Sequence, residues 1–413
     1  METNADILII GGGFGGLSCF RSIDRAQRKV KLLSDRNHFL FTPLLPLAAS
    51  GAVEVRSIVE PLWSFQKNQG EIVMGEAVDL DPAARKAIVE FEPKKKEHVH
   101  YKTLVLAIGA ATATNGIRGV EEHCHFFKEM KQARALREKL LAQFERAAPL
   151  KAGDRARALR FVVIGAGATG VELACEIDDL IEEDLKREFP ALAKAAEIQI
   201  IEAGEDILPQ FDRTLAAYAK RKLRKKGIHL RTGTPVEEVQ EDKVKLKGGG
   251  SIEAETIIWT GGIGPCSFLK RVAERLEVEL EKGRLPVNKH LSVGGKHAEI
   301  YAIGDCASFH DTNGRPLPAT AQVAMKQGEF LGRQLSEGDV AEFRFRTMGM
   351  LASLGTGAAI ADLGFLHFKG RLAWWFWKAA YFTRLVSLRN KTTVAFDWFK
   401  VRLFGRNTAR IEF

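Results

Sequence analysis

Two short stretches of this 413-residue chain constrain its fold more than anything else in it: ADILIIGGGFGG, beginning at Ala5, and RFVVIGAGATG, beginning at Arg160. Each is an apolar run of strand length that enters Gly-x-Gly-x-x-Gly directly. Residues 5–10 lead into Gly11, Gly13 and Gly16, and residues 160–164 lead into Gly165, Gly167 and Gly170. A near-continuous apolar run suits a strand buried on both faces, as in a parallel sheet. The three glycines have separate tasks. The first permits the tight turn, the second lets backbone approach a pyrophosphate, and the third lets the next helix close on the strand. The helix N-terminus then presents unpaired N–H groups and the positive end of its dipole to the phosphates. One such motif is a weak signal. Two in strand–turn–helix context predict an α/β fold with two Rossmann-like dinucleotide-binding domains.

A ribose-binding acid is expected at the end of the following strand, roughly 20 residues on. After the first loop that strand is KVKLLSD; Ser34 holds the aligned position and Asp35 comes one later, so Asp35 is the candidate. After the second loop, EIQIIEA ends in Glu202, beyond a charged, helix-like segment from Glu172 to Lys194. A carboxylate there accepts from a free 2′-hydroxyl and repels a 2′-phosphate, which predicts NADH over NADPH. Two more apolar strands end in glycine turns, YKTLVLAIGAA at Ala107 and Gly109, and AEIYAIGDCAS at Gly304 and Asp305.

Composition excludes some alternatives. The five cysteines are scattered and odd in number, with no Cys/His cluster of metal-ligand spacing, so neither a disulfide framework nor a metal site is expected. The net charge of +9 includes KRKLRKK, residues 220–226, read as solvated surface, and gives no reason to expect nucleic acid. The N-terminus has no basic n-region or cleavage site, which makes the cytoplasm the default compartment.

Together these elements resemble the two-dinucleotide-binding flavoprotein superfamily, and within it the type II, non-proton-pumping NADH:quinone oxidoreductases. RNHFLFTPLLPLAASG, VIGAGATGVELACE, IIEAGEDILPQFD, IIWTGGI and LPATAQVAMKQGE all match that family's pattern, over nearly the whole chain. The resemblance implies FAD, bound without covalent attachment, in the first cradle and NADH as substrate in the second. It extends the cofactor-binding set to Phe14, Gly15, Ala107, Gly109, Gly262, Gly304, Asp305 and Ala321, with Asp305 on the ribityl chain. It also implies functional roles for Glu172 near flavin and nicotinamide, and for Gln322 and Lys326 at the quinone. Lys326 stands where the family has a second Gln. Spaced i and i+4, Gln322 and Lys326 are predicted to share a helix face. Menaquinone and ubiquinone both remain open. A sulfide:quinone oxidoreductase or a redox sensor of the apoptosis-inducing-factor type are the alternatives; the absence of cysteine after Cys306 weighs against the first.

Four of the six tryptophans lie between Trp374 and Trp398, interleaved with Lys and Arg. Trp prefers the bilayer interface, and basic side chains meet anionic headgroups. Lys378 and Arg384 make the segment too charged to span easily, so it is predicted to lie on a membrane as paired helices. A dimer interface and a cap on the core are the competing explanations, and a homodimer could present both tails to one membrane. The expected organisation is 1–120 FAD domain, 121–286 inserted NADH domain, 287–345 FAD domain again, and 346–413 a helical membrane-binding extension. The protein is expected at the cytoplasmic face of the inner (cell) membrane. Deleting residues 371–413 is expected to release it while sparing hydride transfer to a soluble acceptor.

Overall fold

The computed structural model describes residues 3–24, 28–66, 70–91, 95–338 and 341–410. The chain divides into two units, the first made of Met1–Phe39, Glu60–Ala111 and Ile263–Thr347, the second of Leu40–Val59, Thr112–Gly262 and Met348–Phe413.

In the first unit the main sheet runs in the order Ser292–Gly294, His297–Ala302, Lys95–Leu106, Thr3–Ile10, Val30–Ser34 and Gly70–Met74. All neighbours are parallel except the Ser292–Gly294 edge. Leu8, Ile10, Leu33, Leu104, Leu106 and Ile300 share one buried cluster, which is why the strands turn apolar toward the ends that meet there. Register sets where the turns emerge. Ile10 lies opposite Leu106, and Leu106 opposite Ala302, so three strands end level. Ala107 N donates to Ile10 O at 2.8 Å and Ile303 N to Leu106 O at 2.9 Å, carrying the pairing into the turns.

The second unit repeats the construction. Its parallel sheet runs His125–Phe126, Thr256–Trp259, Arg160–Ile164, Glu197–Ile201 and His229–Arg231, with Ile164 opposite both Ile201 and Trp259. Gly165, Glu202 and Thr260 therefore leave the sheet at one edge.

A helical extension is predicted for 346–413; the structure has its helices and adds strands before them. A three-stranded antiparallel sheet, Met350–Ser353, Ala359–Asp362 and His367–Gly370, precedes helices Arg371–Arg384 and Leu388–Phe404. Its central strand opens on three consecutive buried residues, Ala359, Ile360 and Ala361, and shows no alternating pattern.

The charged segment after the second cradle is helical but turns its acids inward. Helix Ala168–Leu180 continues through a π-helical turn, Ile181–Leu185, and buries Glu172, Glu176, Asp178, Asp179 and Asp184. Buried carboxylates need partners. Lys226, expected on the surface, reaches inward to Asp178 Oδ2 at 2.7 Å and also pairs with Asp179. Arg406, with a side chain 2% exposed, binds Asp184 Oδ2 and Glu183 Oε2, each at 2.8 Å. The C-terminal helix is tied down as firmly. Asp397 accepts from Glu54 N at 2.9 Å and Ser57 Oγ at 2.6 Å, and Asn390 donates to the carbonyls of Ser57 and Val59 at 3.0 and 2.9 Å. Deletion of 371–413, of which 411–413 lie outside the described residues, would thus remove part of the second unit's interior, not an appendage.

Arg406→Ala leaves Asp184 and Glu176 buried without their cation. It is expected to cost about 3–5 kcal/mol, the usual penalty for removing one partner of a buried ion pair, read as a lower urea midpoint at unchanged m-value. A change under about 1 kcal/mol would contradict the pairing.

Candidate active site: two glycine cradles and a buried carboxyl

The two glycine loops show the same division of labour. At Gly11, with φ of +113°, an added Cβ would lie 2.3 Å from Ala107 O; at Gly16 it would lie 1.9 Å from Gly11 O. At Gly165 (φ +107°) and Gly170 the corresponding approaches are 2.8 Å to Thr260 O and 2.0 Å to Gly165 O. Any side chain at these four positions would displace backbone. At Gly13 and Gly167, by contrast, an added Cβ meets nothing within 4 Å. Those two open positions sit at the N-termini of helices Phe14–Ser22 and Ala168–Leu180, neither capped by a side chain. Each cradle fits a dinucleotide diphosphate, because the open glycine coincides with a helix N-terminus that no side chain caps.

Around the first cradle the level strand ends bring Gly11, Ala107, Gly109, Gly304 and Asp305 together. A cavity of about 190 Å³ is lined by Gly109, Ala110, Lys282, Arg284, Asp305 and Ala319. Gly15 backs onto Ile303, and Phe14 packs edge-on against Phe39 with centroids 4.9 Å apart. Ser34 faces the loop, its Oγ 2.8 Å from where a Gly12 Cβ would be, whereas Asp35 is exposed.

Helix Ala321–Glu337 starts at Thr320, whose Oγ1 accepts from Val323 N at 3.3 Å. Gly328 and Gly332 press it onto helix Phe14–Ser22; a Cβ at Gly328 would be 2.2 Å from Gly15 O. The Gly-x-x-x-Gly spacing in QGEFLGR is the sequence signal for this contact. Gln322 Nε2 is buried and has no hydrogen-bond partner among the described residues. Lys326 is exposed and ion-paired with Glu329 at 2.9 Å, so its charge is already matched. Gln327, missed by sequence reasoning, is buried, and its Oε1 accepts from Gly304 N at 2.7 Å, holding the turn that carries Asp305.

In the second unit Glu202 is fixed beside its loop. Its Oε2 accepts from Ala166 N at 2.6 Å and its Oε1 from Gly204 N at 2.8 Å. Thr260, also missed, donates its hydroxyl to Ile164 O at 2.9 Å and Gly165 O at 3.1 Å, locking the turn. Gly262, at φ +139°, accepts from Ala113 N at 3.1 Å.

Glu172 points into the second unit's interior and is 7% exposed. Burial pushes its carboxyl up to about 8; the Ser353 N–H, donating at 2.8 Å, opposes this, the charge of Glu176 adds to it, and the Trp377 indole opposes it without meeting hydrogen-bond geometry. Trp377 packs edge-on against Tyr381 at 4.9 Å, closing the carboxyl in aromatic surroundings. Glu176, four residues on, is also raised by burial and by Asp179, and takes a hydrogen bond from Ser50 Oγ at 2.8 Å.

The chain matches the pyridine nucleotide-disulphide oxidoreductase family over residues 5–328 and the NDH2 C-terminal domain over residues 348–407. It is 34% identical over 416 residues to a probable NADH dehydrogenase of Dictyostelium discoideum, covering 98% of this chain and 91% of that one. It is 34% identical over 451 residues to the mitochondrial external NADH-ubiquinone oxidoreductase 2 of Saccharomyces cerevisiae, covering 98% and 82%. Its fold is similar to that of NDH2 from Plasmodium falciparum, solved in complex with NADH, at TM-score 0.94 and 23% identity over 99% of this chain and all of that one. The sulfide:quinone oxidoreductase of Aquifex aeolicus is similar at TM-score 0.72 and 18% identity, covering 98% of this chain and 96% of that one.

The raised Glu172 carboxyl has a consequence for stability. Below its ordinary value of 4.5 it is neutral in the folded and unfolded chain alike; as pH rises from there to about 8, the unfolded chain ionises first and stability is lost. Glu172→Gln, which keeps an oxygen for the Ser353 N–H, should therefore stabilise the fold by a few kcal/mol at pH 8 and by under about 1 kcal/mol at pH 5. Urea titrations at both values check this, and a pH-independent difference would contradict it.

Proposed function

Because this chain belongs to the type II NADH:quinone oxidoreductases, we propose that its two cradles serve one electron transfer, from NADH in solution to a quinone held in a membrane. It is an FAD-dependent NADH dehydrogenase that pumps no protons. FAD, when bound, supplies acceptance of a hydride and delivery of two electrons. The protein contributes binding, orientation and proton handling. Gly11, Gly13 and the first turn of helix Phe14–Ser22 receive the FAD diphosphate, and Asp305 receives its ribityl chain. Gly165, Gly167 and Gly170 admit NADH. Glu202, pinned by two backbone amides, accepts from the ribose hydroxyls and repels a 2′-phosphate.

The unpaired amide of Gln322 is a donor for a quinone oxygen. Lys326, neutralised by Glu329, is left with a minor part. Glu172, still protonated near neutral pH, holds a proton that quinone reduction can draw on. The observation that carries this function is the duplicated, level-ended sheet edge with an open glycine at each cradle.

The acceptor's solubility fixes where the enzyme works. Among the described residues no helix is long and apolar enough to cross a membrane. Leu372, Trp375, Phe396, Phe399, Leu403 and Phe404 are all more than half exposed on the two C-terminal helices. That apolar surface, in a basic setting, suits docking on a bilayer. The enzyme sits there as a peripheral protein, on the cytoplasmic face, where NADH is at hand. Pairing of two chains would present two such surfaces together.

Initial rates with NADH and NADPH against menaquinone and ubiquinone analogues, with and without lipid, test this function. NADH-dependent quinone reduction that rises with lipid is expected; FAD-loaded protein inert toward every quinone would overturn it. Glu202→Ala is expected to raise KM for NADH at least about tenfold, the worth of one lost charge-assisted hydrogen bond, and to narrow the preference over NADPH. Gln322→Leu should lower quinone kcat/KM by about tenfold or more while leaving ferricyanide reduction unchanged, whereas Lys326→Gln should change it by less than about threefold. The reverse ranking would contradict the assignment.

A further inference from the structure

The cations and acids of the C-terminal helices are badly mismatched. Residues 371–404 carry seven Lys or Arg (371, 378, 384, 389, 391, 400 and 402) against one acid, Asp397. That acid is turned inward, to Glu54 N and Ser57 Oγ, and its other oxygen meets Lys400, which also pairs with Glu54, so one of the seven cations is matched. Lys378 is the most unusual of the seven. Its ammonium lies over three tryptophan rings, 4.1 Å from the centroid of Trp374, 4.6 Å from Trp398 and 5.9 Å from Trp375. Trp374 and Trp375 belong to its own helix and Trp398 to the next. Among the described residues no carboxylate or hydrogen-bond acceptor reaches it. The indole N–H of Trp398, on the ring it faces, is likewise buried with no acceptor.

Aromatic faces attract a cation but take none of its protons. A cation–π contact at a partly exposed site is worth about 0.5–2 kcal/mol and leaves the three ammonium donors without a protein acceptor. Burial lowers the Lys378 pKa to about 8, with the charge of Glu176 opposing this. An ammonium kept half-buried at this cost, with an unmatched indole donor beside it, lacks an anionic oxygen. The neighbouring exposed surface is apolar, with Trp375 at 64%, Phe396 at 63% and Phe399 at 58% exposure. A bilayer edge supplies both things at once, hydrocarbon for the aromatics and a headgroup phosphate for the cation.

We propose that Lys378, walled by Trp374, Trp375 and Trp398, is a binding site for the phosphate of an anionic phospholipid, a specific contact within the docking surface. This rests on the membrane-docking reading above. The occupant is a lipid because free phosphate would leave the surrounding aromatic surface in water.

Vesicle co-sedimentation tests it, using the full-length FAD-loaded protein with phosphatidylcholine vesicles and with vesicles containing phosphatidylglycerol. Wild-type protein should prefer the anionic vesicles. Lys378→Met should reduce that preference by about fivefold, the worth of one headgroup–lysine contact, without changing binding to phosphatidylcholine. Lys378→Arg should keep most of the preference. An unchanged preference in Lys378→Met would overturn the site alone. A loss equal on both vesicle types would assign Lys378 a purely structural role and overturn it too. Wild-type protein that binds neither vesicle would overturn the docking reading and the site with it. A rise in thermal midpoint with inorganic phosphate, lost in Lys378→Met, would show a soluble-anion site and contradict the lipid assignment.

Discussion

Everything functional in this protein depends on parallel strands that end level. A parallel pair fixes register through evenly spaced backbone hydrogen bonds, so once Ile10, Leu106 and Ala302 are aligned, the turns after them must emerge side by side. Those turns are then too crowded for side chains. A Cβ at Gly11 would meet Ala107 O, and one at Gly16 would meet Gly11 O. The second unit solves the same problem with Gly165, Gly170 and Thr260. Sheet register, through sterics, selects glycine; glycine selects bare backbone; and bare backbone at a helix N-terminus selects phosphate.

A second constraint acts on the helix after the NADH cradle. Its buried acids leave the second unit with charge that has to be met from within the same unit, and Lys226 and Arg406 meet it. Arg406 lies beyond the last helix, so the C-terminal segment completes the interior of the second unit as well as carrying an apolar surface outside. Docking and folding share one element. Substitutions on the outward face, not truncation, separate the two roles.

The sequence made the sheets and cradles legible because they depend on local patterns: apolar runs, glycine spacing and a terminal acid. It was less informative where long-range contacts decide. Nothing local marks Lys226 as inward-facing within KRKLRKK; its direction is set by Asp178 and Asp179, almost fifty residues earlier. Gln327 reads as one more polar residue on an amphipathic helix until its carbonyl is found on Gly304 N. The alanine-rich strand Ala359–Asp362 has no periodicity to betray it. Lys326 replaces an amide at a position expected to matter, yet its partner Glu329, one turn on, was visible in the sequence and could have been read as an i,i+3 pair.

The central claim is that one bound flavin accepts from NADH and gives to a quinone. It is tested most directly by following flavin absorbance in the FAD-loaded protein under anaerobic conditions. Addition of NADH should bleach the flavin within the instrument's mixing time or shortly after, and addition of a quinone should restore it stoichiometrically. Bleaching by sulfide but not by NADH, or a reduced flavin that no quinone reoxidises, would contradict the account.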